Sequence, residues 1–346
     1  TAPSLSVLLK KKTSSSNVGN STNISGLANY TNNTWYSGYV ATRGSCSDSI
    51  SGSCDVTYRA SGSSSGSGST TANVNNEGTT TVTYTVEDAA GNSASRSYTV
   101  KLDRTAPTLS AVLKKKNGAG NIGSSTNISG LANYSNNTWY KGYVVTRGSC
   151  TDSGSGSCTV SYSLSGASSG SGTTTANVNN EGTTTVRYSV SDAAGNTRSS
   201  SYTVKLDRSG PKCVSSGGSS SWSRGPVTIV GTCSDSGSGC TGNASKVFSG
   251  DTNTTTAYPG IVSDELGNTT TCPANQTVRI DKTAPSCGAI TGQSTTWTNQ
   301  SRTIAVACSD GGSGCTSASF SRTFTTEGAT DTISLKDRVG NTRSCK

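Results

Sequence analysis

The sequence predicts an all-β protein made of tandem sandwich domains, and three observations support this fold class. Apolar residues alternate with polar residues at period two, as in residues 81–86 and 202–206, which is the pattern of strands with one buried face. The alternating segments are rich in Val, Thr and Tyr, which favour strands. Clusters of Gly, Asn and Ser separate them, as turns do between short strands of a sandwich or barrel.

The chain repeats itself four times. Each unit opens two residues before a proline, and three of the four units continue through an Asp-x-x-Gly-Asn turn into a Leu-Asp-Arg or Ile-Asp-Lys exit. Self-similarity of this kind is the signature of a repeat architecture. The predicted domains are 1–104, 105–208, 209–282 and 283–346.

A tryptophan stands at the same distance before a cysteine in every unit. One aromatic residue per unit in fixed register is what a repeated core would show, so we interpret these residues as core residues. The tryptophans are Trp35, Trp139, Trp222 and Trp297.

The units differ in length. The first two carry extra residues at 17–33 and 121–137, and Ser/Gly-rich stretches at 61–71 and 165–175, which we expect to form long loops or hairpins. The fourth unit stops before the counterpart of the strand predicted at 277–281. This gap indicates either a longer array that has been cut here or a sheet edge that a neighbouring strand completes.

Composition argues against an enzyme. The chain of 346 residues has no His, which excludes a Ser/His/Asp triad and a His-ligated metal site. Fourteen of the 19 acidic residues fall at repeated positions, including Glu77, Glu181 and Glu327. Few acids therefore remain for a pair of carboxylates in a unique catalytic cleft. No apolar run is long enough to insert into a membrane.

A succession of motifs along the chain resembles bacterial immunoglobulin-like repeats of large cell-surface and secreted proteins. The motifs are Trp, an alternating strand, Ser-Asp-x-Gly-Ser-Gly, Glu-Gly-x-x-x-Val, Asp-Ala-Ala-Gly-Asn and Val-x-Leu-Asp-x-Thr-Ala-Pro. The resemblance covers nearly the whole chain. It implies tandem immunoglobulin-like β-sandwich domains that form an elongated rod, and a role as a stalk, spacer or adhesin arm. Cysteine stands here where the family usually has small or aliphatic residues.

The cysteines indicate an oxidising compartment. Each unit has an even number of them, and their spacing lacks the Cys-x2-Cys knuckle of zinc sites, so we expect six disulfides and an extracellular or cell-surface location. Four pairs flank the loop between the second and third strands, and two pairs tie the first strand to the last. The expected pairs are Cys46/Cys54, Cys150/Cys158, Cys233/Cys240, Cys308/Cys315, Cys213/Cys272 and Cys287/Cys345.

Aspartates are expected to gather where one unit meets the next, because immunoglobulin-like topology brings the exit of a unit to two loops of the following one. Such carboxylates can bind calcium, the one cofactor that we consider. They can also bond their own backbone, with the exit Asp offset by Arg104, Arg208 or Lys282, and we favour this alternative. The three sets are Asp103, Asp152 and Asp192; Asp207, Asp235 and Asp264; and Asp281, Asp310 and Asp337.

Basic triplets end the first predicted strand of units 1 and 2. They either protect a sheet edge and face solvent, which we favour, or contact a polyanion. Nucleic acid is excluded as a partner, because no recognition motif accompanies the net charge of +9. Two tyrosines beside the tryptophans are further candidates for partner contact. These residues are Lys10, Lys11, Lys12, Lys114, Lys115, Lys116, Tyr36 and Tyr140.

Three functions follow as hypotheses. The first is a non-enzymatic extracellular stalk or fibre, whose partners are adjacent repeats or copies of the chain. The second is an adhesin that binds a glycan or host surface protein through the insertions of units 1 and 2. The third is a phage or self-assembling filament subunit completed by strand exchange.

Overall fold

Strands supply the regular structure of the chain. In a computed structural model, the structure describes residues 1–50, 52–296, 298–325 and 332–346, which form β-strands and no helix. Strands of similar length recur along the chain, so the predictions of an all-β class and a tandem arrangement are confirmed. Among the described residues, no helix is long and apolar enough to cross a membrane. Trp297 and Glu327 lie outside the described residues.

The chain divides into two compact units, Thr1–Leu206 and Asp207–Lys346. Each unit holds two sets of strands that follow the sequence repeats. The finer division into four domains remains a prediction.

The first set of strands forms two sheets. A three-stranded sheet has the order β1-β3-β6, and a five-stranded sheet has the order β2-β8-β7-β4-β5. Paired strands are antiparallel except β2 and β8, which are parallel. The strands are β1 (Ser4–Lys12), β2 (Trp35–Tyr36), β3 (Tyr39–Ser47), β4 (Cys54–Gly62), β5 (Gly66–Gly68), β6 (Thr71–Val74), β7 (Gly78–Asp88) and β8 (Ser93–Leu102).

The alternation of the sequence explains how the two sheets share one core. Along β7, Val82 and Tyr84 are buried, whereas Thr83 and Thr85 point to the other face. Val40 of the three-stranded sheet packs in the same cluster. Burial of these apolar side chains from both sheets is the main stabilising contribution to the unit.

The second set of strands repeats this arrangement. Its sheets have the orders β14-β11-β9 and β10-β16-β15-β12-β13, and Tyr188 fills the core position of Tyr84. The strands are β9 (Thr108–Lys116), β10 (Trp139–Tyr140), β11 (Tyr143–Thr151), β12 (Cys158–Gly166), β13 (Gly170–Gly172), β14 (Thr175–Val178), β15 (Gly182–Asp192) and β16 (Thr197–Leu206).

The Asp207–Lys346 unit has shorter strands and smaller sheets. Its sheets have the orders β17-β18-β19, β20-β23, β21-β22, β24-β25-β26 and β27-β28. The strands are β17 (Lys212–Ser216), β18 (Val227–Ser234), β19 (Ala244–Phe248), β20 (Thr252–Ala257), β21 (Ile261–Ser263), β22 (Thr269–Thr271), β23 (Gln276–Ile280), β24 (Ser286–Thr291), β25 (Arg302–Ser309), β26 (Ser319–Phe324), β27 (Ile333–Lys336) and β28 (Thr342–Cys345).

The interpretation of the tryptophans as core residues is wrong for the three that are described. Trp35, Trp139 and Trp222 are half-buried and lie outside the core clusters. Trp35 and Trp139 begin two-residue strands at a sheet edge, each beneath a lysine of the neighbouring strand. Fixed register in the sequence therefore reflects a repeated edge strand with a cation stacked on its ring, and tyrosines fill the core.

Candidate functional site: aspartate junctions and buried lysines

The structure brings together each of the six expected cysteine pairs. The four short-range disulfides bridge the loop that follows the second long strand of each set, and in the Thr1–Leu206 unit they join strands of different sheets. The bonds are Cys46–Cys54, Cys150–Cys158, Cys233–Cys240, Cys308–Cys315, Cys213–Cys272 and Cys287–Cys345.

The two long-range disulfides occur where the cores are small. Cys272 and Cys345 are both buried, and Cys345 belongs to an apolar cluster with Val306 and Leu335. Cys272 follows β22, whereas the last strand of its set is β23, so the expected tie from first strand to last is corrected for this pair. A cross-link compensates for a core that buries little apolar surface.

Asp103 is the centre of the first junction. Its side chain is fully buried, and Oδ2 accepts a hydrogen bond from the backbone N–H of Ser155 at 2.7 Å. Oδ1 accepts the N–H of Thr105 at 3.0 Å. A Cβ on Gly154 would come within 2.3 Å of the Asp103 carboxyl carbon, so the loop approaches this carboxylate as closely as it does because residue 154 has no side chain.

A second turn closes on the same point. Asp192 accepts the N–H groups of Ala194 and Asn196, which is the local backbone bonding expected of an Asp in a turn. The Asn196 amide then donates to the Asp192 carboxylate and to the backbone carbonyl of Asp103, both at 2.8 Å. The Asp-x-x-Gly-Asn motif thus has a role that the sequence did not predict, because its Asn side chain donates a hydrogen bond to the backbone at the end of the preceding repeat.

Asp152 completes the group. Burial disfavours its charge, but hydrogen bonds from the Ser155 hydroxyl and the N–H of Gly156 outweigh this effect, and the pKa of Asp152 lies below its ordinary value. Oxygens of Asp103, Asp152 and Asp192 all lie within 4.8 Å of one another. Three carboxylates this close can hold a divalent cation or a set of N–H donors.

The same arrangement recurs in the Asp207–Lys346 unit. Asp281 is buried and accepts the N–H of Ser313 at 2.7 Å, and the Asn341 amide donates to the backbone carbonyl of Asp281 at 3.0 Å. Oxygens of Asp281, Asp310 and Asp337 also lie within 4.8 Å of one another.

Asp207 is held in the same manner. It is buried and accepts the N–H of Ser238 at 2.7 Å, and Asn268 donates to its backbone carbonyl at 3.4 Å. Within the described part of the chain, Asp207, Asp235 and Asp264 do not form a group as tight as the other two.

The expectation that Arg104 offsets Asp103 is wrong. Arg104 faces Glu77 at 3.6 Å and stacks on Tyr39. Glu77 also accepts the backbone N–H of Arg104 and the hydroxyl of Thr105. The buried charge of Asp103 is therefore met by N–H donors and not by an adjacent cation.

In the third repeat Asp251 makes the contacts that Glu77 makes in the first, to a backbone N–H and a threonine hydroxyl at the end of the repeat. The sequence did not identify Asp251 as a candidate. Its carboxylate accepts the Thr283 hydroxyl and the Lys282 N–H, and these two bonds, in that order, lower its pKa. The signal available in the sequence was an acid placed just before a Thr-x-Thr strand, as at Glu77.

Two lysines of β1 are buried and hydrogen-bonded, and one of them, Lys10, holds the insertion of the first repeat. Lys12 is 6% exposed, and its ammonium donates to the side-chain oxygens of Asn73 and Asn75 and to the Ser16 carbonyl, each at 3.0 Å. Burial lowers its pKa. Lys10 is 7% exposed and donates to Asn29 and to two carbonyls of the insertion.

Lys116 repeats the role of Lys12, with Asn177 and Asn179 as acceptors. The interpretation of Lys10, Lys12 and Lys116 as solvated edge charges or polyanion contacts is therefore wrong, because these residues are buried and their ammonium groups donate to backbone carbonyls and asparagine side chains. Lys114 is half-buried and donates to Asn133 at 2.7 Å.

The remaining candidate residues form stacked pairs. Lys11 lies over the Tyr36 ring at 4.7 Å, and Lys115 lies over the Tyr140 ring at 4.9 Å. Both tyrosines are half-buried and pack against the cores. Their exposed part is small, and each ring already has a cation as a neighbour.

No family model matches the chain, and no curated protein matches it. A solved structure described as a tetra-tandem repeat in the extending region of a large adhesion protein is similar, with a TM-score of 0.36 and 14% identity over 89% of this chain and 94% of that one. At this TM-score the likeness carries no inference for this chain.

Proposed function

We propose that the chain is a non-enzymatic extracellular spacer, a stalk or fibre of immunoglobulin-like repeats whose junctions are fixed by hydrogen bonds. The observation that carries this proposal is the buried Asp103 carboxylate, which accepts an N–H from the following repeat. Asp281 is held in the same way in the second unit. A spacer needs rigid joins between its repeats, and hydrogen bonds that recur at these joins provide them. Catalysis does not require such a feature.

The energetics support a stiff junction. A hydrogen bond to a charged group contributes about 1.5–3 kcal/mol, and a buried carboxylate that loses its donors is strongly disfavoured. Each junction also has an Asn amide that bonds the exit backbone, so bending at this point would break several bonds together. A linker of a few residues that includes proline has little freedom of its own.

The disulfides support the extracellular location. All 12 cysteines are paired, and structural disulfides persist in oxidising compartments and are rare in the cytosol. Electron microscopy of the full chain tests the proposal: we expect elongated particles, and compact globular particles would contradict it.

Calcium binding at the Asp281 group is a second candidate function. Ser313 favours it, because its Oγ is buried and has no hydrogen-bond partner within the described residues, while its own N–H donates to Asp281. A hydroxyl beside three carboxylates is an oxygen ligand of the kind that Ca²⁺ accepts. A melting temperature that rises with Ca²⁺ in the native chain, and not in an Asp310→Asn variant, would establish this function. Equal melting in Ca²⁺ and EDTA would leave the hydrogen-bonded junction.

The adhesin hypothesis, in which the insertions make the contact, has less support. Residues 17–33 are fastened by Lys10 and by Asn73, which bonds the Val18 backbone, and Ile24 and Tyr30 of this segment are buried. These contacts favour a structural role for the insertion, as a cover over the three-stranded sheet. Loss of glycan or cell binding on deletion of 17–33 would support the adhesin instead.

A further inference from the structure

The outer face of the five-stranded sheet is covered by hydroxyl groups. Most residues of β4, β7 and β8 that point away from the core are Thr or Ser, and antiparallel pairing sets them in rows across the strands. One such row is Thr57, Thr85 and Ser95. Neighbouring hydroxyls in a row are about 5 Å apart at their strands, and successive rows about 7 Å apart. We name this surface the hydroxyl face.

A single guanidinium interrupts the hydroxyls. The next row is Arg59, Thr83 and Ser97. Arg59 is exposed and makes no hydrogen bond or ion pair with the described residues. Nothing in the fold requires an arginine there, since this position faces solvent.

The second repeat keeps the guanidinium and moves it by one strand. Its corresponding row is Ser163, Arg187 and Ser201, so Arg59 and Thr83 of the first repeat become Ser163 and Arg187. Arg187 is exposed and donates to Ser199 at 2.7 Å. Each repeat thus has one arginine in this row, on β4 in the first repeat and on β15 in the second. This recurrence favours a role for the positive charge, whichever strand carries it.

A shallow cavity surrounds this arginine in the first repeat. Its volume is about 630 Å³, and besides Arg59 it is lined by Thr57, Tyr58, Ser67, Gly68, Thr83 and Thr85. The edge strand β5 consists of Gly, Ser and Gly, so no large side chain closes the cavity on that side.

The charges on the hydroxyl face favour an anion most clearly in the second repeat. In the first repeat the acidic residues Asp55 and Glu87 are register partners in a row at one end of the face, two rows from Arg59. In the second repeat Thr159 and Ser191 occupy those positions, and its face has no carboxylate in these rows.

We propose that the hydroxyl face binds a glycan that carries carboxylates, such as a polymer of uronic acids. The guanidinium forms paired charged hydrogen bonds with a sugar carboxylate, and the flanking Thr and Ser hydroxyls donate to and accept from the sugar hydroxyls. This site differs from the insertions and does not depend on the spacer role of the chain.

Calorimetry with the full oxidised chain tests the proposal. The probe is hexameric oligogalacturonate, and its fully methyl-esterified form is the neutral counterpart with the same sugar framework. We expect binding of the acid and at least about tenfold weaker binding of the ester, because the ester cannot make the charged bonds.

Three variants separate the site from general charge. Arg59→Ser with Arg187→Thr gives each repeat the residue that the other has there, and we expect at least about a tenfold loss of affinity. A relocation variant adds Thr83→Arg and Ser163→Arg to those changes and should restore binding. The third variant, Arg96→Ser with Arg198→Ala, is the control and removes the same number of positive charges. Arg96 and Arg198 are exposed, but they are register partners of the core residues Tyr84 and Val190 and so do not belong to the hydroxyl face. Binding by this variant should stay within about twofold of that of the native chain.

Three results would overturn the proposal. They are no binding of oligogalacturonate at millimolar concentration, equal binding of the acid and the ester, and equal losses in the site variant and the Arg96/Arg198 control. The last result would show that net charge alone attracts the probe.

Discussion

Replacement of Gly154 by alanine tests the junction in the Thr1–Leu206 unit directly. The added Cβ would lie 2.3 Å from the carboxyl carbon of Asp103 and 2.4 and 2.5 Å from its two oxygens. Asp103 is fully buried, so it cannot swing into solvent, and the loop must move away. That movement breaks the bond from the Ser155 N–H.

The expected cost combines two effects. Forced overpacking costs about 1–3 kcal/mol, and loss of a hydrogen bond to a buried charge costs about 1.5–3 kcal/mol. We therefore expect Gly154→Ala to lower the free energy of local opening at the junction by about 3 kcal/mol. Each 1.4 kcal/mol is a factor of about ten, so the Ser155 amide should exchange its hydrogen about 100-fold faster.

Gly118→Ala is the matched control. A Cβ at Gly118 meets no atom within 4 Å, and its φ is not in the left-handed region. Hydrogen exchange at Ser155, measured by NMR in both variants, decides the question. If Ser155 exchanges at the same rate in the Gly154 and Gly118 variants, the Asp103 carboxylate does not hold the loop as we argue.

Three further predictions concern the stability of the repeats. Lys12→Met removes three hydrogen bonds, to the half-buried Asn73 and Asn75 side chains and to the Ser16 carbonyl, and should destabilise the Thr1–Leu206 unit by about 2 kcal/mol in urea titrations, whereas Lys11→Met should change little. Replacement of Cys213 and Cys272 by alanine opens a loop with a sequence separation of 59 and should cost about 4 kcal/mol, and an unchanged urea midpoint would contradict this. Burial raises the pKa of Tyr84 to about 12, above its unfolded value of 10.0, so its contribution is fully present below pH 10 and is lost as pH rises through 12. Ultraviolet titration of the native chain against Tyr84→Phe checks this, and titration of that tyrosine near pH 10 would show that it is not buried.

Fold class and cysteine pairing could be predicted from the sequence, because both depend on local pattern. Alternation at period two identifies the buried face of β7 without knowledge of its partners. The short-range disulfides close loops of a few residues, so the two cysteines of a pair, such as Cys46 and Cys54, are never far apart along the chain.

The burial of the lysines could not be predicted from the sequence, because it depends on residues that are distant along the chain. Lys12 is buried by asparagines 61 and 63 positions away, and nothing in a Lys-Lys-Lys triplet marks one member as a buried donor. Trp35 was misjudged for a related reason, since whether a repeated aromatic fills a core or caps an edge depends on sheet order.

The junctions between repeats could be predicted only in part. Topology predicted which aspartates meet, and the structure brings Asp103, Asp152 and Asp192 together. The donors that surround Asp103 are backbone N–H groups, which leave no trace in residue identity. Gly154 and Asn196 are the residues whose identities carry that information, because one gives the loop room and the other binds the exit backbone.

The central claim is that hydrogen bonds, without a metal ion, fix one repeat to the next. Backbone ¹⁵N relaxation of the full chain in EDTA tests it at the first junction. We predict that amides of β4 and β7 tumble with the same rotational diffusion tensor as those of β12 and β15, and that added Ca²⁺ changes neither. Independent tumbling of the two sets in EDTA, or a common tensor that forms only when Ca²⁺ is added, would contradict the claim.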